Sequence, residues 1–480
     1  MSALRWCNQR SVVHKLYAGN ALDLEKRQFA IHVRLLDPKF NGIDRSCVEN
    51  TLEGKDNEEG VEKSPGGTSS ARHDPYAALR YRDFRLLLAG RLITSFGDQM
   101  LSFAIGWELW LRTHDALALG FVGLAQVTPV ILFSLPAGHV ADQYNRKRIV
   151  LFTQLLLAIS ALGLTLISLH QGPILVVYVC LVGIGLARAF NGPASYTLLP
   201  QSVPQSIFTS AATWSSSVGQ LAAILGPALA GVIVAAFNNV SIIYAFDAFA
   251  ALTFLVLVLM LRGRQLALSR KAATMDSLKE GLHFIHDTKV ILAAITLDLF
   301  AVLFGGAVTL LPIYATDILK VGAEGLGLMR GAPSVGALLM AVALAHLPPF
   351  RKAGSTLLLA VTGFGLATIV FGLSRSFVLS LAMLALLGSL DNISVVIRST
   401  LVLSLTPDEM RGRTSAVNSI FVSASNELGG FESGLTAALF GPVISVVGGG
   451  IGTILVVLAI SRVWPQLRRL KTLDAPARPA

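Results

Sequence analysis

The chain has 480 residues, 53% of them hydrophobic and only 14% charged, with a formal net charge of +10. Soluble domains average roughly 45–50% apolar and about 25% charged residues, so this composition excludes an ordinary soluble protein and points to a bilayer. The apolar runs are continuous and rich in Leu, Ala and Gly, unlike the roughly ten-residue alternation of a membrane barrel, which leaves an all-α membrane protein.

Residues 1–74 are a different material, with 11 Lys or Arg, 11 Asp or Glu and the weakly hydrophobic run NGIDRSCVENTLEGKDNEEGVEKSPGGTSS. They are read as a disordered cytoplasmic N-terminal tail. No uninterrupted apolar core marks a signal peptide, so no cleavage is expected; translation starting nearer Val61 is the rival account. Cys7 and Cys47 lie in the tail and Cys180 in an apolar run, which implies no disulfide framework and no metal cluster.

A hydrocarbon core about 30 Å thick takes about 20 apolar helical residues to cross. Such runs fall near 86–110, 117–141, 149–169, 173–193, 209–236 and 240–261, then near 291–316, 326–345, 355–373, 377–400, 413–437 and 441–464. Twelve spans are predicted, divided six and six by a long connection. The domains are therefore a six-helix bundle over 75–261, a cytoplasmic central loop over 262–290, a second six-helix bundle over 291–464 and a cytoplasmic tail over 465–480. Within the central loop, SLKEGLHFIHDTKV has the pattern of a short amphipathic helix on the inner membrane surface. His283 and His286 are read there as surface residues.

Positive residues in short loops stay cytoplasmic. With both termini inside, the cytoplasmic segments beyond residue 74 hold 20 Lys or Arg, among them Arg146, Lys147 and Arg148, against 3 in the opposite loops, Arg112, Lys320 and Arg375. The positive charge thus reports orientation on a lipid bilayer, and no nucleic acid is implied.

At an offset of 203 residues Pro204 matches Pro407, Gly226 matches Gly429 and Gly231 matches Gly434, which suggests two homologous halves. Paired halves that rock around a midplane site are a common transporter architecture.

Charges inside spans are costly, roughly 2.5–3.5 kcal/mol each at a helix centre on insertion scales, so they face protein or water. Arg91, Ser95, Asp98 and Ser102 form one stripe in the first span; Thr209, Thr213, Ser216 and Gln220 form another in the fifth; Ser415, Asn418, Asn426 and Glu427 lie along the eleventh. The stripes suggest a shared cavity, with Arg91, Ser95, Gln220, Asn418 and Asn426 as candidates for its lining. Plain helix-to-helix hydrogen bonding is the alternative. A carboxyl group lining a partly dry cavity can load and unload a proton, so Asp98 is the first candidate carrier and Asp298 and Glu427 are next. Asp247, Glu108 and Glu432 read as structural or interfacial acids. Arg398 reads as a helical partner of Asp391 or as a snorkelling side chain. Trp107, Trp110 and Phe103 read either as site lining or as an interfacial aromatic belt.

The connection GHVADQYNRKR, Gly138 to Arg148, resembles the loop motif between the second and third helices of the major facilitator superfamily. LARAFNG resembles its fourth-helix motif, with Arg188 followed by Gly192, and SVGQLAAILGPALAG its fifth-helix exporter motif, with Gly219, Gly226, Pro227 and Gly231. TPDEMRGRTSAVNS and NELGGFESGLTAALFGP resemble the branch that includes the bacterial enterobactin exporter and related drug-efflux proteins. Gln143 and Asn145 depart from the loop motif, and HLPPFRKAG in the second half lacks its acid. The resemblance implies the twelve-helix major facilitator fold, two pseudo-symmetric bundles, a gating role for Gly138, Asp142 and Arg146, and a role for Arg188 in proton transfer. Asp142 or Asn145 capping the third helix is the alternative to gating. Gly219, Gly226, Pro227 and Gly231 would form a tightly packed stretch of the fifth helix.

No GxxxxGK[ST] loop, HExxH or GxSxG occurs, so neither a P-loop nor a familiar hydrolase site is present in the sequence. The expectation is a non-enzymatic secondary transporter of the bacterial inner membrane, without cofactor or metal, acting as a monomer. It would couple protons to efflux of a small siderophore or drug-like compound by alternating access. An importer of the same fold and a nontransporting sensor or scaffold remain the alternatives.

Overall fold

The computed structural model describes residues 76–261 and 275–470, apart from 349, 351 and 408. They belong to the compact unit His73–Ala480, and the tail over 1–74 lies outside the described residues. All regular structure among the described residues is helical.

Six spanning helices make up the first half: Arg82–Thr113, Ala116–Gln143, Arg146–His170, Ile174–Gln201, Phe208–Phe237 and Ser241–Leu259. In the second half the seventh spanning helix starts at Lys289 and continues to Ile318. It is followed by Gly322–His346, Ala353–Leu373, Phe377–Leu405, Arg411–Phe440 and Pro442–Val463. Ten of the twelve are long and apolar enough on their own to cross a membrane. The first and the eleventh fall short because they carry the polar stripes. On one face the helices reverse within a few residues, and His114, Gln171, Asn238 and Lys320 take the left-handed conformation that ends a helix sharply. The opposite face carries the longer connections, apart from the two residues between the second and third helices.

The expected seventh span is not one uninterrupted helix. After Phe304 it tightens into a 3-10 turn at Gly306–Leu310 and later widens into a π turn at Tyr314–Ile318. Two glycines followed by Pro312 account for the break. The central loop holds a helix over Met275–Asp287. It packs on the protein, with Ile285 buried among Ile291, Ile295, Val402 and Val417, and Glu280 paired to Arg413 at the start of the eleventh helix. Gly281 and Ile285 thus face the second half, while Leu282 remains exposed. His283 and His286 are exposed beside Asp287.

Glycine contacts display the internal symmetry. A Cβ on Gly231 would lie 2.6 Å from the Ala323 carbonyl oxygen, and one on Gly434 would lie 2.6 Å from Gly120 Cα and 2.8 Å from the Ala116 oxygen. The fifth helix therefore crosses the eighth as the eleventh crosses the second. Within the halves, Gly185 abuts the Gln126 carbonyl as Gly388 abuts that of Pro333. Small residues let these backbones approach, which is how helices associate when lipid offers no hydrophobic drive.

The two halves meet near the face of the short connections. Gly231 meets Ala323 and Gly327, Gly331 meets Ile224, and Trp110 Nε1 donates to Thr316 Oγ1 at 2.8 Å. Followed at helical spacing toward the opposite face, the same side of the fifth helix continues through Gln220, Ser217 and Thr213, the last two exposed. On the eleventh helix the side that meets Gly120 and Gly123 continues to exposed Ser423. The seam closes at one end and opens at the other. Phe103, Trp107 and Trp110 belong to the buried apolar cluster behind the closed end, so they form neither a lipid-facing belt nor a cavity lining.

Candidate functional site

Two cavities meet at one ion pair. The larger, about 430 Å³, lies between the halves and is lined by Asp98, Ser102, Arg188, Arg330, Asn426 and Glu427, among others. The smaller, about 250 Å³, lies within the first half; Arg91, Ser95, Gln154, Asn191 and Asp247 are among its walls. Asp98 and Arg188 line both.

The spacing of Arg91, Ser95, Asp98 and Ser102 puts them on one side of the first helix, and that side faces the two cavities. Across from it, Arg188 of the fourth helix donates from Nη2 to Asp98 Oδ1 at 3.1 Å and from Nη1 to Gln126 Oε1 at 2.6 Å. The pair is wet, with side-chain exposures of 38% for Arg188 and 49% for Asp98. Glu427, from the other half, and Asp247, from the sixth helix, both lie within electrostatic reach of Arg188.

Three glycines seat these groups. A Cβ on Gly97 would collide with Asp247 Oδ1. On Gly123 it would come within 2.6 Å of the Glu427 carbonyl oxygen and 3.1 Å of its Oε2. Gly185 presses the fourth helix onto the backbone of Gln126, which brings that side chain beside Arg188 one turn further on. Nothing in the sequence singled out these three glycines, because the groups they accommodate belong to other helices.

The remaining predicted residues are distributed as follows. Asn426 faces the larger cavity. Asn418 is half-buried and its Oδ1 has no hydrogen-bond partner. Gln220 is half-buried on the seam side of the fifth helix. Asp298 is not at the site: it is buried in an ion pair with Arg398, its side chain 6% and that of Arg398 7% exposed. The expectation that Arg398 serves Asp391 or snorkels fails for the same reason, since the Asp298 carboxylate from the neighbouring helix meets it.

Gly138 lies in the last turns of the second helix and Arg146 opens the third. The Asp142 side chain lies outside the described residues. Asn145 is the cap of the third helix, its Oδ1 accepting from the Lys147 backbone N–H at 3.0 Å. In the fifth helix Gly226 packs on Gln99, Pro227 presents its carbonyl to Gly327, and Gly231 packs on Ala323. A Cβ on Gly219 would meet nothing within 4 Å, so Gly219 makes no close packing contact here.

Arg330, Gln126 and Asn191 are site residues that stripe-following overlooks. Arg330 stands alone in an apolar helix and reaches across the seam, donating from Nη1 to Ser102 Oγ at 3.0 Å. A single charge well inside a span is the signal that finds it.

Comparison with known proteins agrees with this architecture. Residues 73–478 match the major facilitator family described as transmembrane secretion effectors. The chain is 24% identical over 389 residues to the enterobactin exporter EntS of Citrobacter koseri, covering 81% of this chain and 93% of that one; the Escherichia coli exporter is 23% identical with the same coverage. Among solved structures, the nucleoside transporter NupG superposes with a TM-score of 0.65 at 12% identity, covering 80% of this chain and all of that one. An inward-facing bacterial homologue of the lysosomal transporter Spinster gives 0.62 at 14% identity, covering 81% and 98%. An inward-facing bacterial homologue of the iron transporter ferroportin gives 0.60 at 18%, covering 79% and 98%.

Proposed function

Since the chain belongs to the transmembrane secretion effector family of the major facilitator superfamily, we propose that it is a proton-coupled exporter of a small siderophore or drug-like compound, working by alternating access. The observation that carries this reading is the wet Asp98–Arg188 pair at the junction of the two cavities. Both termini are taken as cytoplasmic, on the charge asymmetry of the loops, in the inner membrane of a bacterium. The seam then closes toward the outside and opens toward the cytoplasm, the state in which an exporter accepts cargo.

In this mechanism substrate enters the cavity between the halves, and the halves rock until the seam opens outside. There Asp98 takes a proton, its hold on Arg188 weakens, and the guanidinium turns to Glu427 or Asp247, both already within its electrostatic reach. Return to the inward-open state releases the proton as the Asp98–Arg188 pair reforms. Glu427 couples the halves because it brings a carboxylate from the second half to a cation of the first. Asp298, sealed against Arg398, is assigned a structural role. Gly138, Asp142 and Arg146 brace the cytoplasmic end when it closes. Efflux is favoured over import because the exporter relatives align over most of the chain. A single copy holds both cavities, so a monomer suffices.

Everted membrane vesicles test the reading. A proton gradient imposed with the lumen acidic, so that protons leave the vesicle, is expected to drive accumulation of a member of a siderophore and drug panel, and Asp98→Asn to abolish it. Accumulation only in right-side-out vesicles would make the protein an importer. Absence of flux across the panel would leave a sensor.

A further inference from the structure

Arg330 is a cation without a counter-ion. It sits in the eighth helix, Gly322–His346, and among the described residues no carboxylate lies within ion-pair distance of it. Its Nη1 is satisfied by the neutral Ser102 hydroxyl at 3.0 Å, while its Nε is buried with no hydrogen-bond partner. The acid of the second half in the same cavity, Glu427, interacts with Arg188 instead. Beside the guanidinium, Gly106 leaves room: a Cβ there would touch only Pro312 at 3.4 Å and Arg330 Nη2 at 3.9 Å.

A cation partly withdrawn from water and left unpaired is costly to keep, and a planar guanidinium with donors left over matches an oxyanion. The cavity that holds it has about 430 Å³, enough for a fused aromatic ring system or a group of that size. We propose that Arg330 is the specificity-determining residue for the anionic group, a carboxylate or phenolate, of an organic-acid substrate. The oxyanion would lie in the space left by Gly106, where Arg330 Nη2 faces it. This rests on the reading of the inter-half cavity as the substrate site. Because Arg330 belongs to the second half and Ser102 to the first, a bound anion would strengthen a contact that already bridges the seam, linking occupancy to the position of the halves.

Three probes of one shape separate the charge types: 1-naphthoate, 1-naphthamide and 1-naphthylmethylamine, titrated into purified full-length protein in nanodiscs by tryptophan fluorescence. Wild type is expected to bind naphthoate at least tenfold more tightly than either of the others. Arg330→Gln should weaken naphthoate at least tenfold and leave naphthamide unchanged, and Arg330→Lys should retain part of the preference. Should Arg330→Gln fail to fold, Gly106→Leu, which fills the space beside the guanidinium, is expected to remove naphthoate binding with Arg330 intact. A wild-type preference for the amine, equal affinity for all three, no binding at millimolar probe, or a preference that survives Arg330→Gln and Gly106→Leu overturns the assignment. Proton-driven flux in vesicles is a separate readout: its absence beside intact naphthoate selectivity would sink the transport reading alone, and its presence beside amine selectivity would sink this one alone.

Discussion

The first and fourth helices of each half carry an ion pair, Asp98 with Arg188 in one and Asp298 with Arg398 in the other, and the two pairs live in opposite environments. Asp98 and Arg188 border two cavities with side chains about half and two-fifths exposed, whereas those of Asp298 and Arg398 are nearly sealed. Aligning the starts of the helices puts Asp298 at the level of Arg91 and Arg398 at that of Ser195, two residues that line the smaller cavity of the first half. The second half thus fills with a pair the place that the first half leaves wet. Similar groups on corresponding helices divide into an open pair and a sealed pair through access to water.

The sharpest way to break this contrast is Asp298→Ala. It strands Arg398 in a dry interior, and breaking a buried pair by removing one partner costs about 3–5 kcal/mol. Purified protein should show a much lower unfolding midpoint and poor yield. Asp298→Leu combined with Arg398→Met should recover most of the loss, since apolar groups of similar size tolerate such sites. An Asp298→Ala protein that folds normally yet loses transport would move Asp298 into the working set.

Asp98→Asn probes the other pair. An exposed ion pair contributes only about 0–1 kcal/mol, so the unfolding midpoint should hardly move. Proton-driven transport is expected to fall at least tenfold, because an amide cannot carry the proton. A large drop in stability with residual coupling intact would mean that the two pairs are alike after all.

The seam offers a symmetric test. Gly231→Val and Gly434→Val each push a side chain into backbone of the opposite half, at Ala323 and at Gly120. Both should spread the closed end, reduce transport several-fold and raise thiol labelling of a cysteine placed at buried Ala437. Equal effects are expected because the crossings correspond. A strong effect from only one would show that the halves do not share the load.

How much of this was legible follows from the range of the signals. Apolar run length carried ten of the twelve helices, since crossing a bilayer is a demand each of those segments meets by itself, and the first and the eleventh were placed in spite of their polar stripes. Helix ends moved where polar turns continue beyond the oily part, as in the fourth helix, expected to stop near 193 and running to Gln201. The Arg91, Ser95, Asp98 and Ser102 stripe was readable because it lies on one helix. What escaped was pairing between helices. Asp98 and Asp298 are the same residue type in equivalent helices, and only the surrounding packing tells the wet one from the dry one. Arg330 needs Ser102 from the other half to reveal its place, and nothing local to either announces the contact.

The smallest expected effect separates a glycine in the cavity wall of the fourth helix from one at a close crossing of the tenth. At Gly192, in the wall of the wet cavity, a Cβ would meet nothing within 4 Å, whereas at Gly388 it would run into the Pro333 carbonyl. Alanine restricts the unfolded chain and suits a helix better than glycine does, so Gly192→Ala should raise stability by about 0.4–1 kcal/mol and leave transport unchanged. Gly388→Ala must displace a neighbouring backbone and should cost about 1–3 kcal/mol. Thermal unfolding of the two variants side by side reads the difference directly. If Gly192→Ala also destabilised, the space beside it would have to close in another state of the cycle, and the first half would be packed as tightly as the second for part of its working time.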